Sequence, residues 1–464
     1  MDHLLRKKPP KVLAALLSVG ALSTVAAYGG AASASVASHR QAKPAAKPFA
    51  GQTLTVFDGA PSGASAKEVQ AYYNDLSALF HKETGATVNW QYYSTAAQEV
   101  TTIETAAVSG NGPDIISYGT SFVGTLQATH EFPLLSQQNW NTLGGQKSII
   151  QADLFDSGVQ KGKYIGVPYE TNPFVLSYNT ADFKKAGITS PPKTWSELVQ
   201  DAQKIQKAIP GTYGLGMDPS DAFDPWKSVY FIDKQLGGGH WISPNGKKIA
   251  LDSSTMRKAL QSYFSLFYKF HVVPPQAMTW TGADMASAFT QNKVAMEIIS
   301  SYDPTLAPGT KLQGHLGYAL LPTIPYGMTS LPKGALPIET ETTGNYWAIP
   351  SYARPKRQLA LEFEKLSLSP AIQLSQFKLL GWMPVNQAGV RAVEAYSKQA
   401  KPFIQAETSA YPTSVAPVWS YVETGMLTAI HNIAAKLATD GGKWNAGYAN
   451  QQLATAQAAA QAHA

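Results

Sequence analysis

The chain alternates short β-rich runs with amphipathic helices, and this order constrains the fold more than any other feature. The run "TLTVFDG" at residues 53–59 is followed by "KEVQAYYNDLSALFHKETG", in which apolar residues recur three and four apart. Gly85 closes this helix, and "ATVNWQYY" supplies a second strand. Strand, helix and strand in this order predict a βαβ unit and therefore a parallel sheet.

The same alternation continues along the chain. The stretch 101–109 reads as a helix, and "GNGPDIISYG" at 110–119 reads as a turn and a buried strand. A further helix begins after Thr194, with Glu197 at the capping-box position. The stretch "YNTADFKKAG" predicts a short helix with its N-cap at Thr180 or Asp182. The fold class is therefore α/β.

The strand ends indicate where a ligand would bind. Open α/β sheets bind ligands in the crevice beyond the carboxyl ends of their strands. Asp58 ends the first predicted strand, and Tyr118 ends the strand of 110–119. Both are candidate ligand-binding residues on this ground.

The first residues have the pattern of an export signal. Arg6, Lys7, Lys8 and Lys11 precede a stretch from Val12 to Ser38 without a charged side chain. Its apolar part is shorter than the roughly 20 residues of a spanning helix, which favours cleavage, after Ala34 or Ala27. We expect an exported protein at the cell surface, in the extracellular space or in the periplasm.

Tyr28 stands where bacterial lipoproteins carry the cysteine that is lipidated. The chain has no cysteine, so lipid anchoring on Cys is not supported and disulfides are excluded. A released mature protein is the favoured interpretation. An uncleaved signal acting as an anchor and a replaced cysteine are the alternatives.

Composition excludes several classes of function. The 464 residues are 44% hydrophobic and 15% charged, so the chain can bury a large core, and its length indicates two domains. The net charge of +6 is spread thinly, which argues against nucleic acid as a partner. Scattered histidines give a metal site no support, and no motif indicates a cofactor.

Six segments, in order and spacing, resemble the extracellular solute-binding proteins of ABC importers, in particular the carbohydrate-binding, maltose-binding-protein-like family. They are "SGNGPDIISYG" (109–119), "GKYIGVPYETNPFVLSYNTADFKKAGITSPPKTWSEL" (162–198), "AFTQNKVAMEIISSY" (288–302), "GYALLPTIP" (317–325), "GNYWAIP" (344–350) and "GWMPVN" (381–386). The resemblance implies a two-lobe fold of the periplasmic-binding-protein type, with a hinge and a ligand cleft between the lobes. It implies a monomeric receptor that closes on a mono- or oligosaccharide and delivers it to a membrane permease.

The resemblance also implies a division of the chain. We expect an export signal at 1–34, a Pro/Ala-rich linker at 35–52, a first lobe at 53–168 and a second lobe at 169–320. The chain would return to the first lobe at 321–372 and end with the second lobe and C-terminal helices at 373–464. Passages between lobes are expected near 168–172, 320–324 and 368–374.

Candidate sugar-binding residues follow from the same resemblance. A sugar presents an apolar face and a rim of hydroxyls, so its site needs aromatic rings together with planar polar groups. Some candidates occupy positions where the family contacts sugar; the others are placed by loop position near the family's motifs. The first set is Tyr118, Ser121, Asn172, Asp224, Trp226, Tyr302 and Trp419, and the second is Asp58, Glu170, Trp280, Asn345 and Trp382.

Several of these positions differ from the maltose-binding relative. Asn172 stands where that relative has a glutamate, and Ser121 with Phe122 replaces an Asp-Arg pair. Linear maltodextrin is therefore not assumed as the ligand. Two other functions are alternatives: a surface protein or scaffold without transport, and a glycoside-acting enzyme with Glu170 and Asp224 as paired carboxylates. No catalytic motif supports the enzyme.

Overall fold

The structure is a computed structural model, and it describes residues 47–59, 65–154, 158–160, 162–300, 310–341 and 343–464. The chain divides into two compact units, 1–46 and 47–464. The predicted export signal and most of the predicted linker lie outside the described residues. The second unit contains every helix and strand given below.

Ten strands and fifteen α-helices make up the described part of the chain. The strands are β1 Thr53–Gly59, β2 Thr87–Tyr93, β3 Ile115–Gly119, β4 Gly158–Gln160, β5 Lys163–Tyr164, β6 Gly166–Glu170, β7 Val175–Asn179, β8 Met296–Ile299, β9 Leu316–Ala319 and β10 Asn345–Ala348. The helices are α1 Ala66–Thr84, α2 Ala96–Ser109, α3 Val123–Ala128, α4 Gln137–Thr142, α5 Thr180–Lys185, α6 Trp195–Ala208, α7 Pro225–Gln235, α8 Ser254–Tyr268, α9 Gly282–Thr290, α10 Arg357–Ser367, α11 Pro370–Leu380, α12 Gln387–Tyr396, α13 Lys401–Thr408, α14 Trp419–Thr439 and α15 Ala446–Gln461.

The first lobe is built on a five-stranded sheet of order β2-β1-β3-β10-β6. β1 is parallel to both β2 and β3, which confirms the predicted parallel arrangement of these strands. β10, which returns from far along the chain, pairs antiparallel with both β3 and β6. The sheet is therefore mixed, with one reversed strand between parallel neighbours.

Helix α1 forms where the sequence predicts it. Ser65 caps its first turn in a capping box with Glu68, and Gly85 ends it in the left-handed conformation at φ 82°. Tyr72, Leu76 and Phe80 lie on its buried face and have no exposed surface. Burying each of these side chains contributes about 1.5–3 kcal/mol.

Residues 47–52 fold back onto the end of α1. The amide of Phe49 donates to the carbonyl of Thr84, and the Lys47 ammonium donates to the carbonyl of His81 at 3.0 Å. Turns and hydrogen bonds therefore hold this end of the predicted linker against the helix.

The second lobe is built on a three-stranded antiparallel sheet of order β8-β7-β9. Its core includes residues of α6, α7, α8, α14 and α15. Thr194 caps α6 in a capping box with Glu197, as predicted. The N-cap predicted for α5 is wrong, because Asn179 occupies it and its side-chain oxygen accepts from the amides of Ala181 and Asp182.

Two segments that join the sheets run side by side. Residues 171–174 connect β6 to β7, and their neighbours are residues 340, 341 and 343, which precede β10. The amide of Asn172 donates to the Thr343 hydroxyl at 2.8 Å, and the amide of Phe174 donates to the Thr340 hydroxyl at 2.9 Å. Residues 320–324, where a passage was expected, still hydrogen-bond to 193–195 beside α6.

Candidate ligand-binding site

A cavity of about 650 Å³ lies between the two sheets. The first lobe contributes the ends of β1 and β3, the start of β10 and the loop after α11. The second lobe contributes the end of β8, the loop before α7 and the start of α9. The cavity therefore lies at the carboxyl ends of β1 and β3, where a crevice is expected for an open α/β sheet.

Aromatic rings from several elements line this cavity. Tyr93, Phe122, Phe174 and Trp382 are each at most 7% exposed, whereas Phe223 is 37% exposed. Phe223 precedes α7, and its amide donates to the Asp221 carboxylate at 2.9 Å, which fixes the local backbone. An exposed ring on a fixed loop is suited to stack on the apolar face of a ligand.

Two asparagines of the cavity wall bind one buried carboxyl group. Asn345 donates from Nδ2 to Glu170 Oε1 at 2.6 Å, and Asn172 donates from Nδ2 to Glu170 Oε2 at 2.5 Å. Glu170 is 1% exposed, and burial raises its pKa to about 8, although the hydrogen bond from Asn345 opposes this. Glu170 thus orients two amide groups that face the cavity.

A second buried carboxyl group lies under the first-lobe wall. Asp58 is fully buried and accepts hydrogen bonds from the hydroxyls of Tyr169 at 2.6 Å and Tyr73 at 2.9 Å. Burial raises its pKa to about 6, while these two hydrogen bonds oppose the shift. Its neighbour Gly59, and not Asp58 itself, lines the cavity.

The second-lobe wall contains an ammonium group between two carboxylates. Lys227 lies 3.1 Å from Asp224 and 3.4 Å from Glu341. Burial disfavours the charge on Lys227, yet these carboxylates outweigh burial and raise its pKa above the ordinary value. Burial raises the pKa of Glu341 to about 7, and Lys227 opposes that rise.

Further carboxyl groups line the cavity. Glu99 accepts from the amide of Gly119 at 2.9 Å, and Glu423 approaches from α14. Burial raises the pKa of both groups, and their mutual repulsion adds to the rise for Glu99. Burial and repulsion by Asp224 and Asp221 raise the pKa of Asp218.

Five of the twelve predicted residues line the cavity, and six lie elsewhere in the described structure. The five are Ser121, Asn172, Asp224, Asn345 and Trp382. The six are Asp58, Tyr118, Glu170, Trp226, Trp280 and Trp419. Tyr302 lies outside the described residues, so its predicted role stays a prediction.

Buried packing accounts for three of the six. Trp226 and Trp419 are each 1% exposed and pack edge to face at 5.6 Å in the second-lobe core. Tyr118 has no exposed surface and stacks on Tyr346 at 5.2 Å. Sequence reasoning could not separate these rings from wall residues, because a core and a sugar site favour the same residue types.

The remaining three, Glu170, Asp58 and Trp280, have different surroundings. Glu170 acts through Asn172 and Asn345, as described above. Asp58 bonds to buried tyrosines, and half-buried Trp280 packs against the core clusters on the second-lobe side. Ligand contact by these three residues stays a prediction.

Several lining residues were missed by sequence reasoning. Phe223 directly precedes the predicted residue Asp224, so its position beside that residue was a usable signal. Lys227 follows Asp224 by three residues. Glu99 and Glu423 lie outside the six segments that resemble the family, and only the folded chain brings them to the cavity.

Comparison with known proteins identifies the family. The model of the bacterial extracellular solute-binding proteins matches residues 27–374. The chain belongs to this family. Its members are extracellular proteins that bind solutes. Among the described residues of this solute-binding protein, no helix has both the length and the apolar character needed to cross a membrane.

Individual relatives of this solute-binding protein are distant. A putative binding protein of Brucella abortus is 27% identical over 268 residues, which is 57% of this chain and 60% of that protein. The diacetylchitobiose binding protein DasA of Streptomyces coelicolor is 26% identical over 467 residues, 96% of this chain and 99% of that protein. The chain thus matches less than two thirds of the Brucella relative.

The fold has a clear structural counterpart. The maltose-bound MalE3 of T. maritima superposes with a TM-score of 0.73 at 18% identity, covering 88% of this chain and 99% of that protein. This similarity confirms the predicted α/β, two-lobe fold of the periplasmic-binding-protein type. The predicted lobe boundaries stay a prediction.

Proposed function

We propose that this solute-binding protein is an extracytoplasmic carbohydrate receptor of an ABC importer. It would capture a mono- or oligosaccharide in the cavity between its lobes and deliver it, as a monomer, to a membrane permease. The observation that carries the proposal is the cavity wall, in which the exposed ring of Phe223 lies with the amides of Asn172 and Asn345.

The chemistry of this wall suits a sugar. Aromatic rings pack against the C–H faces of a pyranose, and planar amide and carboxyl groups can each bind hydroxyls by two hydrogen bonds. Each buried polar group left without a partner would cost about 1–3 kcal/mol, so the ligand must match the wall. A volume of about 650 Å³ accommodates one or a few sugar rings.

The relatives support a sugar as well. DasA is described as binding diacetylchitobiose, and the MalE3 structure holds maltose. Both matches extend over most of this chain. We infer that the ligand is a carbohydrate, without carrying over either sugar as such.

The connection between the lobes supports closure by hinge bending. Residues 171–174 run beside residues 340, 341 and 343 between the sheets and lie next to the cavity wall. A ligand that contacts both walls favours the closed state because the contacts form together only there. Closure would then present a surface to the permease.

Binding fits this wall better than catalysis does. A glycoside-acting enzyme needs two carboxyl groups on either side of the bond that is cleaved. Of the two carboxyls considered, Glu170 is buried behind two asparagines and Asp224 is paired with Lys227. A sugar that is released unchanged after long incubation would support this inference.

A panel of sugars tests the function directly. Thermal unfolding and calorimetry of the full mature protein should show a ligand that raises the melting temperature and binds with measurable heat. Small-angle scattering with that ligand should show a smaller radius of gyration. A surface scaffold would be stabilised by no sugar, and this outcome would contradict the proposal.

The processing of the N-terminus needs a separate experiment. We infer that the signal within residues 1–34 is removed and that the mature protein is released. The mass of the mature protein and its partition between detergent and water would measure this. Recovery of the full-length chain in the detergent phase would instead support an uncleaved anchor.

A further inference from the structure

The walls of the ligand cavity carry far more acidic than basic groups. Among the residues that the structure describes, seven carboxyl side chains and one amine line it. The acids are Glu68, Glu99, Asp218, Asp221, Asp224, Glu297 and Glu423, and the amine is Lys227. The undescribed segments that continue the chain from lining residues, 60–64 and 301–309, contain no lysine or arginine in the sequence.

Some of these charges already have partners in the protein. Lys227 is held by Asp224 at 3.1 Å and by Glu341, which is 1% exposed, at 3.4 Å. Asp221 accepts from the amides of Phe223 at 2.9 Å and Gly282 at 3.0 Å. The single ammonium is therefore committed to two carboxylates, and Asp221 holds the loop backbone.

Glu423 differs from Asp221 and Asp224 in the partners of its carboxyl oxygens. It is 7% exposed, it lines the cavity, and its Oε2 has no hydrogen-bond partner among the residues that the structure describes. A buried carboxyl oxygen without a partner lowers the stability of the folded protein, most strongly when the group is charged. A ligand that supplied a donor or a positive charge here would remove this cost.

We propose, on the basis of the carbohydrate-receptor function above, that the ligand is an amino sugar with a free, protonated amine, and that Glu423 pairs with this ammonium. An ammonium donates three hydrogen bonds and accepts none, so it matches a wall of acceptors. The same wall disfavours sugar phosphates and uronic acids, because like charges would be brought together in a partly desolvated site.

The titration of the wall is consistent with this pairing. Burial raises the pKa of Glu423, with Ser121 and Lys227 opposing the rise. An ammonium bound beside Glu423 would lower that pKa again, since an opposite charge favours the ionised form. Binding should therefore release protons, which calorimetry detects as a heat that depends on the buffer.

Matched sugar pairs test the proposal. The free amines glucosamine, galactosamine and chitobiose are compared by calorimetry with their N-acetylated counterparts, at mildly acidic pH. We expect the best free amine to bind at least about tenfold more tightly than its acetylated partner, and its affinity to fall with added salt.

Charge-removing variants give the second arm. Glu423→Gln keeps the shape of the side chain, and we expect it to reduce affinity for the free amine by about tenfold or more while the acetylated partner changes little. Glu394→Gln removes one charge from an exposed position on α12 and should change neither affinity. Melting temperatures establish that both variants are folded.

The sugar comparison and the Glu423→Gln variant each have results that would contradict the proposal. Equal or tighter binding of the acetylated sugars would overturn the amino-sugar inference while leaving the carbohydrate receptor intact. Binding of neutral sugars alone would do the same. If no sugar of any kind bound to the folded protein, the proposed function would fail and this inference with it. If Glu423→Gln bound the free amine as tightly as the unaltered protein, the assignment of Glu423 would be wrong.

Discussion

Asn345 donates a hydrogen bond of 2.6 Å from its side-chain amide to Glu170, and the two residues lie on neighbouring antiparallel strands of the first lobe. Asn345 faces the cavity, whereas Glu170 lies behind it and is 1% exposed. The position of a wall amide is thus set by a buried carboxyl group that the ligand need not touch.

Replacing Asn345 with alanine should affect stability and binding together. The variant removes a donor from Glu170 and an amide from the cavity, and we expect a loss of about 1–2 kcal/mol in the free energy of unfolding. Sugar affinity should fall as well, which calorimetry measures. Asn74→Ala, at an exposed position on α1 where the side-chain oxygen of Asn74 accepts from Gln70, should change neither quantity appreciably. Unchanged affinity in Asn345→Ala would show that this amide does not contact the sugar.

Phe223 should supply the stacking surface for the sugar. We expect Phe223→Ala to weaken binding by about tenfold, since aromatic stacking and the buried ring area contribute about 1–2 kcal/mol. Phe223→Tyr should restore most of the affinity because it keeps the ring. The variants are compared with Tyr396→Ala, which removes an exposed ring on α12. A Phe223→Ala protein with full affinity would contradict a stacking role.

Lys227 should be needed for stability because two carboxylates depend on it. Lys227→Met leaves Asp224 and the buried Glu341 without their cation, and we expect a loss of about 3 kcal/mol in chemical unfolding. Adding Glu341→Gln to this variant should recover part of the loss. If the double variant were less stable than Lys227→Met, the ion pair would not explain the effect.

Glu364 should make the protein more stable at lower pH. It is fully buried on α10, and burial raises its pKa from 4.5 to about 8, with the charge of Arg357 opposing the shift. Between these values the folded state binds more protons than the unfolded state, so the free energy of unfolding falls as pH rises. Its contribution is present below the unfolded pKa and is lost as the pH approaches 8.

Glu364→Gln should flatten this dependence. The variant should be more stable than the unaltered protein near the upper end of that range, on the order of 2 kcal/mol, and similar to it at the lower end. Urea unfolding across the range measures the difference. Glu362→Gln, on the outer side of the same helix, serves as the control. A parallel pH dependence in Glu364→Gln and the unaltered protein would rule out Glu364 as the cause.

The sequence predicted elements best where local signals agreed with packing. Helix α1 has a regular apolar face and a closing glycine in the sequence, and both appear in the structure. The cap of α5 was misplaced because Asn179, Thr180 and Asp182 are all good N-caps, and only the backbone decides among them. Local chemistry therefore fixed the existence of a helix more firmly than its first residue.

The site was harder to predict than the fold, for a physical reason. Asn172 and Asn345 lie within segments that resemble the family, and both line the cavity. Trp226 and Trp419 also match family positions, but they are buried in the core. Burial of a tryptophan is favourable both in the hydrophobic core and in the wall of a sugar site. The residue type alone therefore does not show which of the two positions it occupies. Glu423 lies in the second turn of α14, and no local pattern marks that position as part of the cavity wall.

Gly344 lies directly before the first residue of β10, and its backbone should tolerate no side chain. It has φ +118°, and a Cβ there would overlap the carbonyl oxygen of Glu170. We expect Gly344→Ala to lower the free energy of unfolding by about 3 kcal/mol, since backbone strain and overlap add. It should also weaken sugar binding, because Gly344 lines the cavity beside the passage between the lobes. Gly327→Ala introduces a Cβ at φ +76° in open space and should cost only about 1 kcal/mol. Equal losses in the two variants would mean that backbone strain alone, and not the contact with Glu170, accounts for the glycine at 344.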